Sequence, residues 1–579
     1  MTPGRRLLLG LVAAAAVLLL GRALALVYTD YAWYDALSAA PLWGEKTADL
    51  TAIHLFSAVF AGLFALLNLF SIRRSIVSLA FPRRLGNVQF GEAVPSRYLD
   101  RTVMALSVAI ALLMSAMTPA WEQLALVRTG VRFGEADPFF QTDLSFYIAW
   151  LPLEWAAYEW TLGLLIVVSA VVIGLYALTP SLRWELGAFR LSVHVRRHLS
   201  VLGALFLLVM AWSYRLDGYH LLVNGTGPNG TFSYLDHQWL IPAYLSLSII
   251  TMASAVLVFV SGWTGQLRTI FFTVSALLIV AITFDFALPA VARRYASTGD
   301  DVHQQPYAAT RAAFTRRAYN DTTSGIVVGH EVARFASFGD TARTAVLLNE
   351  QRGRLLVYPG ARGAAIVTHS GPIPAPELGS GLTQLAQAWA EQRLDLLWGP
   401  YPSDARIARR RDVRERVHAL APIFAQGSVI APAFLGDTLI WVVELYSASS
   451  WYPLSAHATI AEEDRSYFRH ASTALVNSRT GRVVVVSDQA PDPTTVAWRA
   501  KFPGMFRPGR PDILDVLTIN PAGNQLGATP PRRFPAEPDS AFRRDVIRLY
   551  SRMRQALFSG DLKAFGAAYD SLGEILRRD

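Results

Sequence analysis

Two aspartates just past the first apolar segment are the residues whose type and position best suit catalysis. Asp30 and Asp35 stand among the aromatic residues Tyr28, Tyr31, Trp33 and Tyr34. Membrane glycosyltransferases that use lipid-phosphate sugars keep acidic residues in a first outside loop of this kind, as a base and a metal ligand. The alternative is an aromatic belt at the membrane surface with solvated aspartates, and we favour it.

Two further ionisable residues, His54 and Asp285, fall inside apolar segments. A charge in hydrocarbon is costly, so an ionisable residue within a membrane span is a candidate for transport or catalysis. Both residues lie near the predicted outer ends of their segments, where water can reach them. A solvated position is therefore the simpler interpretation for both.

The densest basic run in the chain consists of Arg406, Arg409, Arg410, Arg411, Arg414 and Arg416. Asp412 and Glu415 offset part of its charge. The run predicts the polar face of an amphipathic helix, with Val413, Val417, Leu420 and Ile423 turned inward. A second hypothesis is contact with anionic lipid headgroups, which attract basic side chains near a membrane. Nucleic acid is not an expected partner, because the topology derived below places this run outside the cell.

No motif in the chain indicates a cofactor or a metal. The absence of cysteine excludes disulfides, thiolate metal sites and cysteine nucleophiles. A dinucleotide-like pattern occurs at Gly225, Gly227 and Gly230, but Pro228 interrupts it and no helical pattern follows. His194 and His198 have the spacing of helical metal ligands, yet two arginines between them oppose a divalent cation. We therefore predict no cofactor and no metal.

The elements that must position these residues are mostly membrane helices. Of the 579 residues, 52% are hydrophobic and only 17% are charged, and the apolar runs concentrate before residue 290. A membrane helix needs about 20 largely apolar residues to cross the hydrocarbon layer. Candidates occur at 7–27, 50–72, 102–121, 156–178, 199–214, 240–260 and 270–288. We therefore predict a membrane all-α domain of about seven transmembrane helices over residues 1–290.

The basic residues of the connecting loops predict the orientation. Loops on the cytoplasmic side of a membrane collect Arg and Lys. One set of predicted loops carries 13 such residues, and the other carries only Lys46, Arg128, Arg132 and Arg215. We therefore expect a multi-pass cell-membrane protein with a cytoplasmic N-terminus and an extracytoplasmic second half. The first span also resembles a signal peptide, whose cleavage would leave six spans in the same orientation.

Beyond residue 290 the pattern changes to that of an α+β domain. Helices are predicted at 306–319 and 382–397, and strands at 354–358, 364–368, 429–434, 438–446, 474–477 and 482–487. We assign residues 291–520 to an extracytoplasmic α+β domain. The stretch 521–538 is rich in Pro, Gly and Ala and predicts a linker, and 539–579 predicts a helical hairpin.

Several stretches resemble, in order, the motifs of uncharacterised protein family 0182, a group of multi-pass membrane proteins of bacteria and archaea. They include WYDAL at 33–37, FGEADP at 133–138, DLSFY at 143–147, WVVELY at 441–446 and FPGMF at 502–506. The chain is short for the family, and the family block after the last span is compressed here to PYAATR at 306–311. The resemblance implies a membrane location and an outside domain. It implies no established reaction, so no catalytic residues are carried over.

These features together favour a non-enzymatic envelope protein that anchors and displays an α+β domain outside the cytoplasmic membrane. One alternative is a membrane glycosyl- or lipid transferase that uses Asp30 or Asp35. Another is a transporter component, although its spans should be broken or polar near the bilayer midplane. The expected partners are the lipid bilayer and either anionic headgroups or other envelope components. The sequence does not indicate an oligomeric state.

Overall fold

Two long helices begin the chain in the computed structural model of the protein. The structure describes residues 3–76, 96–118, 121–177, 182–185, 188–227, 230–287, 290–291, 300–319, 355–368, 373–435, 438–460, 462–487 and 491–508, with the single residues 548, 552, 567 and 571. Helices α1 (Pro3–Ala36) and α2 (Ala40–Ile76) are joined by a tight turn at Ser38, where φ is 58°. The predicted loop around Asp30 and Asp35 is wrong, because α1 continues through both residues. No glycine or proline between residues 28 and 36 ends the helix.

The rest of the first half is also helical. It contains α3 (Ser96–Ala116), α4 (Trp121–Arg128), α5 (Leu151–Ala177), α6 (Val193–Val223), α7 (Ile241–Thr264) and α8 (Leu267–Ile282). Short π-helical turns at Phe146–Trp150 and Asp236–Leu240 lead into α5 and α7, and another follows α8 at Thr283–Ala287. A small hairpin of β1 (Leu182–Glu185) and β2 (Ala188–Leu191) separates α5 from α6.

Five helices in the described residues are long and apolar enough to cross a membrane. They are Gly10–Ala36, Ala40–Ile72, Phe146–Ala177, Val193–Val223 and Asp236–Thr264. A sixth results if Asp100–Ala116 and Trp121–Arg128, bent by 66°, count as one span. The predicted span at 270–288 corresponds to α8, which is apolar but shorter than a full span. The chain therefore has five or six candidate spans, and the predicted count of seven is not confirmed.

The middle spans pack through small and branched side chains. Ala61 and Ala65 of α2 and Val168 and Val172 of α5 are fully buried in one core. At the contact between α6 and α7, a Cβ on Gly262 would overlap the side chain of Ser200 on α6. Helix α1 differs from this group, because only 6% of its apolar window is buried inside the protein.

The second half alternates short helices and strands. In chain order it contains α9 (Asp300–Tyr319), β3 (Ala365–Val367), α10 (Leu382–Glu391), α11 (Asp395–Trp398), β4 (Arg406–Ala408), α12 (Val413–Leu420), β5 (Ala425–Leu435), β6 (Thr438–Ser449), β7 (Ala458–Ile460), β8 (Glu463–Arg465), β9 (Tyr467–Asn477), β10 (Val483–Ser487), α13 (Pro493–Lys501) and β11 (Phe506–Pro508). The predicted hairpin around residue 436 is confirmed as β5 and β6. The predicted strand at 354–358 is wrong over its described residues, because 356 and 357 form a bend and neither 355 nor 358 belongs to a strand.

A five-stranded sheet is the centre of this α+β region. Its strand order is β11-β10-β9-β6-β5, and β11 pairs with β10 in parallel. Strand β6 pairs with β9 antiparallel from Ile440 to Ser449, with a register shift between Leu445 and Tyr446. Trp441, Val443 and Leu445 of β6 are fully buried, and their neighbours Ile440 and Val442 are nearly so. A strand covered on both faces needs such a continuous apolar run rather than strict alternation.

The chain divides into two compact units. One comprises residues 1–431 and 438–509, and the other comprises 432–437 and 510–579. The predicted linker at 521–538 lies outside the described residues, and only four residues of the predicted hairpin at 539–579 are described. The functional site discussed below belongs entirely to the first unit.

Candidate functional site

The arginine run meets helix α1 at Asp30. The Nη2 atom of Arg410 donates to Oδ1 of Asp30 at 2.6 Å, and Trp43 Nε1 donates to Oδ2 of the same carboxylate at 3.1 Å. The Arg410 guanidinium also lies over the Trp33 ring, 4.4 Å from its centroid. A planar guanidinium suits both partners, because it pairs with carboxylates and stacks on aromatic faces. One side chain thus joins α1 to the α+β region.

Further contacts extend along α1 on both sides of Asp30. The Tyr34 hydroxyl donates to the carbonyl of Ala419 at 2.9 Å. Towards the N-terminus, Arg22 Nη1 donates to the carbonyl of Trp389, at the C-terminal end of α10, at 3.3 Å. The Trp389 ring lies so close to Gly21 that a Cβ there would come within 2.5 Å of it. The α+β region therefore contacts α1 from Gly21 to Tyr34.

The buried side chain of Arg416 organises the loop that carries Arg409 and Arg410. Arg416 is only 2% exposed. Its Nε donates to the Arg410 carbonyl at 2.9 Å, its Nη2 to the Arg409 carbonyl at 2.7 Å and its Nη1 to the Gly481 carbonyl at 2.8 Å. Burial, followed by the nearby charge of Arg410, lowers the pKa of Arg416 to about 10, which leaves it charged at neutral pH. Three carbonyls compensate the desolvated charge and hold the loop in place.

The other four arginines also bind groups of the protein, either a carboxylate or a main-chain carbonyl. Arg409 contacts Glu391 at 2.5 Å, Arg411 donates to the Leu356 carbonyl at 2.8 Å, Arg406 to the Ile373 carbonyl at 2.9 Å and Arg414 to the Gly427 carbonyl at 2.8 Å. The predicted contact of the six arginines with anionic lipid stays a prediction.

The segment around these arginines is not one amphipathic helix. It begins as β4, continues through a loop in which Arg410 has a φ of 47°, and ends as the short helix α12. The Asp412 side chain caps α12 by accepting from the Glu415 amide at 3.0 Å. Val413, Val417 and Leu420 are buried, which confirms the predicted inward face over α12 itself.

The structure separates the two aspartates that the sequence placed together. Asp30 is partly buried, and both of its carboxylate oxygens accept hydrogen bonds, whereas Asp35 is exposed on the last turn of α1. Through these two hydrogen bonds, Asp30 of α1 is linked both to Trp43 of α2 and to Arg410 of the arginine run. A catalytic role for either residue stays a prediction.

The two intramembrane candidates have different surroundings. The Nδ1 atom of His54 lies 2.8 Å from the carbonyl of Ser115, near the end of α3, and Ser115 Oγ donates to the carbonyl of His54 at 3.1 Å. His54 thereby connects α2 to α3. The backbone of Asp285 belongs to the π-helical turn after α8, and its side chain lies outside the described part of the chain.

Two cavities adjoin at the link between Asp30 and Arg410. The membrane-side cavity has a volume of about 750 Å³ and is lined by Leu26, Val27, Asp30, Trp43, Lys46, Thr47, Leu50, Thr51, His54, Leu55, Arg409 and Arg410. The domain-side cavity has a volume of about 400 Å³ and shares Asp30, Arg409 and Arg410 with the first. Its other charged residues are Arg362, Glu391, Arg411 and Glu415. Candidate residues from distant parts of the sequence thus surround one site.

Sequence reasoning missed a second ionic cluster beside this site. The carboxylates of Glu45 and Asp49, one turn apart on α2, both contact Arg128 at the end of α4, and Glu45 lies 3.1 Å from Lys501 of α13. Asp49 is only 1% exposed. The signal available in the sequence was the spacing of two carboxylates by four residues, which places them on one helix face.

The dinucleotide-like glycine loop has an internal anion as its partner. The Thr226 amide donates to Oδ2 of Asp236 at 3.0 Å, and the Ser233 amide donates to the same oxygen at 2.8 Å.

The ring nitrogens of His198 lie 2.8 Å from the Tyr176 hydroxyl and 2.9 Å from Oδ1 of Asn68. Within the described ranges, no three His, Asp or Glu side chains come together as metal ligands.

Five or six apolar helices long enough to cross a membrane, joined through side chains to an α+β region, indicate a membrane protein. The chain belongs to the uncharacterised protein family UPF0182, whose model matches residues 7–323 and 337–511. The resemblance inferred from the motifs is therefore confirmed.

The relatives are also UPF0182 proteins. One from Desulforamulus reducens is 26% identical over 51% of this chain and 34% of its own length, and one from Moorella thermoacetica is 29% identical over 50% and 33%. One from Cupriavidus necator is 23% identical over 83% of this chain and 66% of its own length. The chain thus matches about a third of the length of the first two relatives. No solved structure matches the chain.

Proposed function

We propose that the protein is a non-enzymatic cell-envelope protein that displays its α+β region outside the cytoplasmic membrane and binds an anionic lipid in the membrane-side cavity. The excess of Arg and Lys in one set of loops supports the cell membrane and this orientation. The composition of the cavity supports the ligand.

The membrane-side cavity is an apolar cleft with a cationic end, and this observation carries the proposal. Leu26, Leu50 and Leu55 belong to its apolar wall, and Lys46, Arg409 and Arg410 give its end a positive charge. Asp30 and Glu391 offset the two arginines. Lys46 forms no ion pair in the described part of the chain, and its Nζ lies 5.9 Å from the centroid of the Tyr34 ring. One positive charge is therefore left over for a ligand.

An anionic phospholipid fits such a cleft in charge and in size. Its phosphate would lie near Lys46 and Arg410, and the first part of an acyl chain would follow Leu50 and Leu55 into the bilayer. The volume of about 750 Å³ is within the usual range for small-ligand sites. Each basic residue near an anionic headgroup contributes about 1 kcal/mol of attraction. The bound lipid would also bridge α1, α2 and the arginine loop.

The transferase alternative needs a free carboxylate near the ligand. Asp30 lines the cavity but already accepts hydrogen bonds from Arg410 and Trp43, so the geometry favours a positioning role for it. Asp35 is the exposed carboxylate of the pair. Loss of a lipid-linked product in an Asp35→Ala strain, with normal protein levels, would support the transferase instead.

Binding of lipid by the full-length protein tests the proposal. The purified protein is equilibrated with equal amounts of phosphatidylglycerol and phosphatidylcholine, and the bound lipids are counted by native mass spectrometry. We expect a preference for phosphatidylglycerol that falls about five-fold in Lys46→Gln, the equivalent of roughly 1 kcal/mol.

The matched control is Arg482→Gln, which removes one exposed positive charge from the turn before β10. This variant should keep the preference of the parent protein. Equal binding of the two lipids by the parent, or equal losses in the two variants, would refute a specific site at Lys46. Screening by salt should weaken the preference without abolishing it, because the site is partly buried.

A further inference from the structure

Helices α10 and α11 carry several large apolar side chains that are exposed on the surface of the protein. Leu382 and Leu385 project from one face of α10, with 83% and 41% of their surface exposed. Leu394, just before α11, and Trp398, at its end, are 68% and 76% exposed. Gln387, Ala388 and Ala390 of α10 are buried, and Ala388 packs in one core with Leu396 and Ile407. Four large apolar side chains so exposed on one short segment indicate an interaction surface.

The depth of this segment follows from its contact with α1. The Trp389 ring lies against Gly21, which falls within the candidate span Gly10–Ala36. The aromatic residues from Tyr28 to Tyr34 have the composition of a membrane interface. Gly21 precedes Tyr28 by two helical turns, which corresponds to about 10 Å along the helix axis. Trp389 therefore lies beside the apolar part of α1, on the N-terminal side of its aromatic part.

The surface is continuous with the lipid-facing side of α1. Leu20 and Leu24, on either side of Gly21, are 65% and 70% exposed although they belong to a candidate span. Exposed apolar side chains at that depth of a membrane helix are suited to contact with lipid hydrocarbon. The same medium adjoins the exposed leucines of α10.

The charged groups near this surface are paired. Arg22 donates at 3.3 Å to the Trp389 carbonyl in the last turn of α10, which also accepts from the Gln392 amide at 3.4 Å. Glu391 is bound by Arg409 at 2.5 Å, and Arg393 contacts Asp395 at 2.5 Å. Pairing lowers the cost of placing charge beside lipid, so these residues are compatible with insertion.

The geometry points to a membrane-inserted segment: α10 and α11 lie in the bilayer leaflet beside α1, with Leu382, Leu385, Leu394 and Trp398 in contact with lipid acyl chains. A short amphipathic helix at an interface buries its apolar face to a depth of about 5–10 Å. This segment attaches the α+β region to the membrane at a second place besides the chain connection to the spans. The inference does not depend on lipid binding at Lys46.

Depth-dependent quenching in proteoliposomes of the full-length protein tests this inference. The chain lacks cysteine, so Leu385→Cys and Leu394→Cys each provide a single site for an environment-sensitive fluorophore. Leu24→Cys on the exposed face of α1 is the reference for lipid, and Arg482→Cys is the reference for water. We expect lipids with brominated acyl chains to quench the two α10–α11 labels at least about three-fold more than the Arg482 label.

Aqueous iodide provides the opposite measurement. It should quench the Arg482 label strongly and the labels at 385 and 394 weakly. Iodide quenching at 385 and 394 equal to that at 482 would overturn the inference, because the segment would then be in water. Protection from both quenchers would also overturn it, since a second copy of the chain or another protein segment would then cover the surface. Two positions are labelled so that the test still gives a result if one of the variants folds poorly.

Discussion

The guanidinium of Arg410 and the carboxylate of Asp30 are 2.6 Å apart, although 380 residues separate them in the chain. Neither side chain is fully buried, with 22% and 30% of their surface exposed. The pair lies in a contact that also includes Gly21 against Trp389, Arg22 on the Trp389 carbonyl and Tyr34 on the Ala419 carbonyl. The ion pair is therefore one of several links between α1 and the α+β region.

A double-mutant cycle should measure this pair directly. Asp30→Asn and Arg410→Gln should each lower the thermal stability of the purified full-length protein, and the double variant should lose less than the sum. We expect a coupling free energy of about 1–3 kcal/mol, because the pair is partly desolvated and charge-assisted. The more exposed pair Arg317 and Glu135, with 50% and 39% of their side chains exposed, is the matched control and should show a smaller coupling. Additive losses at Asp30 and Arg410 would contradict the structure.

Gly21 should tolerate no large side chain. Gly21→Leu would force the Trp389 ring away from α1, and overpacking of this kind costs about 1–3 kcal/mol. Gly10→Leu is the control, because nothing lies within 4 Å of a Cβ at that position of the same helix. We expect a lower unfolding temperature only for Gly21→Leu, with partial recovery when Trp389→Ala is added. A similar effect of both glycine substitutions would show that helix α1 itself, and not its contact with α10, is responsible.

The turn before the span at Phe146 should be sensitive to acid through Asp143. Burial raises the pKa of this carboxyl group, but the hydrogen bonds it accepts from Ser145, and from the amides of Phe133 and Gly134, outweigh burial and lower the pKa overall. A lowered folded-state pKa stabilises the protein above the unfolded-state value, and this stabilisation is lost as the pH falls through the folded-state value.

Asp143→Asn should therefore lower the unfolding temperature near pH 7, and its effect should shrink as the pH falls through the folded-state pKa of the native carboxyl. Unfolding of the parent and the variant in detergent across this pH range provides the measurement. A constant difference between the two proteins at every pH would mean that the carboxylate charge is not the cause.

The orientation of the chain can be tested with topology reporters. A reporter that is active only outside the cytoplasm should be active when fused after Asp579 and silent when fused at Arg84, because the basic loops should stay inside. A second reporter, active only in the cytoplasm, should give the reverse pattern. Activity of the first reporter at Arg84 would overturn the orientation and with it the proposed extracytoplasmic domain.

Local patterns in the sequence predicted the elements of the site but not their assembly. The spacing of Val413, Val417 and Leu420 indicated a buried helix face, and the apolar run from residue 438 indicated a strand, because both signals repeat within a few residues. The partner of Asp30 could not be predicted, since no local pattern selects one arginine 380 residues away. Arg416 appeared to be a surface residue by type, yet three main-chain carbonyls compensate its charge in the interior.

The first predicted loop failed for a related reason. Its polar and aromatic residues are typical of a membrane surface, and a surface segment was taken to be a loop. In the structure they continue α1, because Asp30, Trp33 and Tyr34 have partners on the α+β region that make a helical surface favourable there. Tertiary contacts of this kind override local composition.

The separation of 380 residues between Asp30 and Arg410 also has a consequence for biosynthesis. A ribosome adds about 5–20 residues per second, so Arg410 is made roughly 20–80 s after Asp30. During that interval, of the two groups that bind the Asp30 carboxylate, only Trp43 of the neighbouring helix has been synthesised. The Asp30 carboxylate therefore lacks one of its two partners until a late part of the same chain has been synthesised.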